Sequence, residues 1–87
     1  MIKLSDFQIN RFMFNALSGY EAYYEDKDMN EATKYASILK AMADIILDSD
    51  VLCSDGFEFF VLDKDKTKPT PEHILQLLNN CKSIKHR

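Results

Sequence analysis

Apolar side chains recur with a helical period in three stretches of this chain, and the polar residues between them carry start and stop signals. Ser5 is placed to cap a first helix, Gln8 to close a capping box with it, and Leu4 to staple against Ile9. At about 100° per residue, Ile9, Phe12, Met13, Ala16, Leu17, Tyr20, Tyr23 and Tyr24 fall on one arc of roughly 140°, a stripe suited to a core. Gly19 interrupts that stripe at a cost of up to about 1 kcal/mol relative to alanine. Residues 25–28 break the period as a short polar turn.

A second helix is predicted from Asp28, with Glu31 as its capping-box partner. Ala32, Tyr35, Ala36, Leu39, Met42, Ala43 and Ile46 follow at clean helical spacing. Ile38 and Ile45 widen the apolar arc to about 200°, which suits a central element packed on more than one side. Asp48-Ser49-Asp50 should end it, since carboxylates are disfavoured at a helix C-terminus.

Between Val51 and Leu62, two apolar runs flank Ser54-Asp55-Gly56. That pattern predicts a hairpin with glycine at a positive-φ position; a helical turn followed by one strand is the alternative. A loop of alternating charge follows over residues 63–69. Thr70 and Pro71 then start a third helix, with Ile74, Leu75, Leu77, Leu78, Cys81 and Ile84 on its buried face. The expected fold is mainly α, a small three-helix domain with a short β-hairpin between helices 2 and 3, occupying residues 1–87 as one domain. Two glycines and two prolines leave little material for the turns of an all-β protein.

The charge is unevenly spread. Up to residue 62 there are eleven acids and five bases; beyond it, three acids and six bases. An acidic body repels a phosphate backbone, so nucleic acid is disfavoured as a partner despite Lys64, Lys66, Lys68, Lys82, Lys85 and Arg87. Tyr20, Tyr23 and Tyr24 could serve as base-stacking surfaces, but they lie among Glu21, Glu25 and Asp26 and read better as core. No apolar run is long enough for a membrane span. Cys53 and Cys81, set among apolar neighbours and with no secretory leader, are expected to be buried thiols of a soluble, cytoplasmic protein.

Candidate chemistry is sparse. Asp48-Ser49-Asp50 and Asp63-Lys64-Asp65 lack the later ligands and the glycine of a calcium loop. Cys53, His73, Cys81 and His86 lack the close pairs of a zinc site. His73 is expected to sit exposed in the first turn of its helix. Two isolated glycines make no phosphate loop, and no nucleophile sits near an oriented histidine in the sequence. Neither catalysis nor a metal or other cofactor is expected.

Two features point to surface contacts. Phe7 and Phe14, one heptad apart with Arg11 and Ser18 nearby, lie opposite the main stripe of the first helix. Aromatics there either pack beneath the hairpin or form an interaction patch. Glu21, Glu25, Asp26, Asp28 and Glu31 crowd the first turn, which is either a solvated connection or an acidic knob that steers docking on a basic surface. The chain therefore reads as a non-catalytic protein-binding module that docks on a larger partner with a basic surface, such as a nucleic-acid-handling enzyme. Abundant Lys, Ile, Asn, Phe and Tyr suggest an AT-rich genome, and small accessory or inhibitor proteins of phages and mobile elements work in this way. The alternative is a DNA-binding regulator using the basic C-terminal tail. A homodimer that buries Phe7 and Phe14 across a twofold axis is a third reading.

Overall fold

A computed structural model describes residues 3–47, 55–62 and 67–85, the last five of these by backbone only. Its elements are α1 (Asp6–Tyr20), a π-helical turn (Glu21–Glu25), α2 (Met29–Leu47), a 3-10 turn (Phe57–Phe59) and α3 (Pro71–Lys85). The mainly helical, three-helix reading holds.

The start of α1 follows its sequence signal. The Gln8 amide donates to Ser5 Oγ at 3.1 Å, and the Ser5 amide donates back to Gln8 Oε1 at 2.9 Å. The helix does not stop where the periodicity fades. It widens into a π turn, with the Asp26 amide donating to the Glu21 carbonyl at 2.9 Å. That wider turn keeps three tyrosines inward: Tyr20 is buried, Tyr23 and Tyr24 are half-buried, and their rings pack at 5.0 Å (Tyr20–Tyr24) and 4.9 Å (Tyr23–Tyr24). The polar turn proper is thus shorter than expected. Lys27 closes it in the left-handed region, at φ 55°.

Asp28 caps α2 by accepting from the Glu31 amide at 3.1 Å, but the capping box stays half-made. The Asp28 amide that Glu31 would have bound donates instead to the Ala22 carbonyl at 2.8 Å. The buried face of α2 is unusually small-featured: Ala32, Ala36, Leu39, Ala43 and Leu47. Together with Ala16 and Gly19 on α1, it leaves room that large rings must fill.

Phe59 and Phe60 fill it, and the predicted hairpin is not seen among the described residues. Residues 57–62 form no strand, and none occurs among the described residues; the arm expected at Val51–Cys53 lies outside them. Phe59 and Phe60 are adjacent in sequence and both fully buried. A strand sends neighbouring side chains to opposite faces, so a surface hairpin with one face in solvent would bury only one of them. A tight turn buries both. Gly56 adopts positive φ as anticipated, at 95°, but it initiates the 3-10 turn, with the Phe59 amide donating to its carbonyl at 3.2 Å. A side chain at Gly56 would overlap the Ala36 carbonyl, so the turn backbone rests directly on α2. Phe60 lies over Gly19, whose missing Cβ would stand 2.5 Å from the ring. Phe12 meets Phe59 at 5.7 Å, while Tyr23, Phe57 and Phe60 form a further ring cluster.

Thr70 caps α3 by accepting from the His73 amide at 3.2 Å, and Ile74 and Leu78 complete the core. His73 is half-buried rather than exposed, because its Nε2 lies 3.0 Å from the Glu58 carbonyl and ties α3 to the 3-10 turn. The burial expected for Cys53, Cys81 and Ile84 falls outside the residues whose side chains are described.

Two stability measurements probe this packing. Gly19→Ala should destabilise by about 1–3 kcal/mol in urea unfolding, despite alanine's better helix propensity, because the methyl drives into Phe60. The double variant with Phe60→Leu should recover part of the loss if the ring is the obstacle. Lys27→Gly should stabilise by roughly 0.5–1 kcal/mol by relieving the left-handed strain, and an unchanged midpoint would show that the strain is negligible.

Candidate functional site

The core of α1 lies on the side of Phe12, Ala16 and Gly19. Positions 7 and 14 project to the opposite side, at about 160° from the centre of that face by helical geometry. Both rings are accordingly in solvent: Phe7 is 70% exposed and Phe14 67%. Of the two readings open for these aromatics, the structure supports the uncovered one. The Arg11 guanidinium stands 5.7 Å from the Phe7 ring centre, in cation–π range. Phe7, Asn10, Arg11, Phe14 and Asn15 line a shallow depression of about 270 Å³.

Asn15 forms the inner wall of this depression and is buried. Its Nδ2 donates to the Arg11 carbonyl at 2.9 Å and approaches Met42 Sδ at 3.7 Å. The amide thereby links the patch-bearing turn of α1 to α2. A second depression of about 180 Å³ lies on the α2 side of Phe7, between Gln8, Arg11, Met42, Ile45 and Ile46. Ile45 is 79% exposed, so the apolar surface crosses from one helix to the next. This corrects two expectations. Ile45 does not help α2 pack on a further neighbour, and Leu17, placed in the core stripe of α1, is exposed. The helical wheel carried the signal for Ile45, which sits about 160° from the middle of the buried face of α2.

The acidic residues lie around the connection between α1 and α2. Glu21 and Glu25 belong to the π turn, Asp26 follows it, Asp28 is the α2 cap and Glu31 lies in the first turn of α2; all five are exposed. Phe7, Phe14 and Glu21 recur at intervals of seven residues, so one outward face of α1 leads from the aromatic patch to the acids. Asp28 is structurally committed as a cap, whereas Glu21, Glu25 and Asp26 are free to be changed with little structural cost.

Among the described residues, no three His, Cys, Asp or Glu side chains gather as metal ligands would. Asp48, Asp50, Cys53, Asp63, Asp65 and His86 lie outside them. No described helix is long and apolar enough to cross a membrane. The inward-facing tyrosines are poorly placed as stacking platforms. The chain matches no protein-family model, no curated protein and no solved structure.

Exposed patch residues should contribute little to stability. Phe7→Ala, Phe14→Ala and Ile45→Ala should each change the unfolding free energy by no more than about 0.5 kcal/mol, whereas Phe59→Ala should cost about 3–5 kcal/mol. A large loss at Phe14 would mean that the ring packs against something in the folded chain.

Proposed function

We propose that this chain is a non-catalytic protein-binding module. It acts by docking on a larger partner that presents a basic surface. The single observation that carries this reading is the pair of outward phenylalanines beside Arg11, flanked by exposed Ile45. Large apolar side chains held in solvent on a rigid helix are costly to keep unless a partner covers them, and aromatic and arginine side chains dominate the energetics of such contacts.

The acids at the far end of α1 supply the electrostatic half of the surface. Glu21, Glu25 and Asp26, with Asp28 and Glu31 behind them, would accelerate encounter with a basic partner and fix the orientation of docking. A small accessory or inhibitor protein that covers a working surface of a nucleic-acid-handling enzyme fits this arrangement. DNA binding through the C-terminal tail is the weaker reading, since the tyrosines that would have assisted it are packed inward.

Photocrosslinking from position 14, in cells of the source organism, would identify the partner. The triple variant Glu21→Lys, Glu25→Lys, Asp26→Lys should then weaken capture about tenfold at low salt, with the difference fading near 0.5 M salt. Asp28 is left intact because removing the cap would cost about 1 kcal/mol of stability. Undiminished capture by the triple variant would exclude the acidic turn from recognition.

A further inference from the structure

We draw no further inference here: the strongest candidate, the outward face of α1 with Phe7, Arg11 and Phe14, continued by Ile45 on α2, belongs to the surface already described, and nothing in the structure shows what covers it.

Discussion

Phe60 occupies the space that Gly19 leaves by having no side chain, and the rest of the molecule is arranged around that contact. The buried faces of α1 and α2 carry small residues, Ala16 and Gly19 on one and Ala32, Ala36 and Ala43 on the other, beside Phe12, Tyr20, Leu39 and Leu47. The small residues leave space between the larger ones. The turn at 57–60 supplies what they lack, driving Phe59 and Phe60 into the gap while Gly56 rests on the Ala36 carbonyl. Each fully buried ring is worth about 1.5–3 kcal/mol of transfer free energy, a large share of the margin available to a domain of this size. His73 then fastens α3 to the same turn through the Glu58 carbonyl, so the third helix is positioned by the wedge as well.

Much of this was legible in the sequence, and the parts that were not share a cause. Helix starts were readable because capping is local chemistry: Ser5 with Gln8, Asp28 with the Glu31 amide and Thr70 before Pro71 each act within one turn. The failures involve partners distant in the chain. Phe57 to Leu62 looks like a strand from its composition, and the Gly19 notch that receives Phe60 lies some forty residues earlier, beyond the reach of any local pattern. The Glu31 box was broken by a carbonyl six residues upstream of Asp28, made available by a π turn that no simple period announces.

The candidate surface divides in the same way. Phe7, Arg11 and Phe14 could be picked out because they oppose the periodic stripe of their own helix, and the acids because they cluster. What periodicity could not decide was whether anything covers the rings; their exposure decides it. Ile45, Met42 and Asn15 were missed, since their part in the patch depends on how α2 lies beside α1. Asn15 in particular reads as an ordinary polar residue, yet it is buried where the helices meet and its amide bridges them.

The wedge also bears on how the chain comes to be folded. During synthesis both long helices leave the ribosome before the segment that joins them into a core, since Phe59 and Phe60 follow α2 in sequence. Until those rings arrive, an α1–α2 pair can bring together Phe12, Leu39 and the Asn15–Met42 contact but leaves the notch at Gly19 unfilled. The space between α1 and α2 is therefore filled only once residue 60 has been added. A nascent chain interrupted before residue 59 lacks two fully buried rings and leaves Gly19 uncovered.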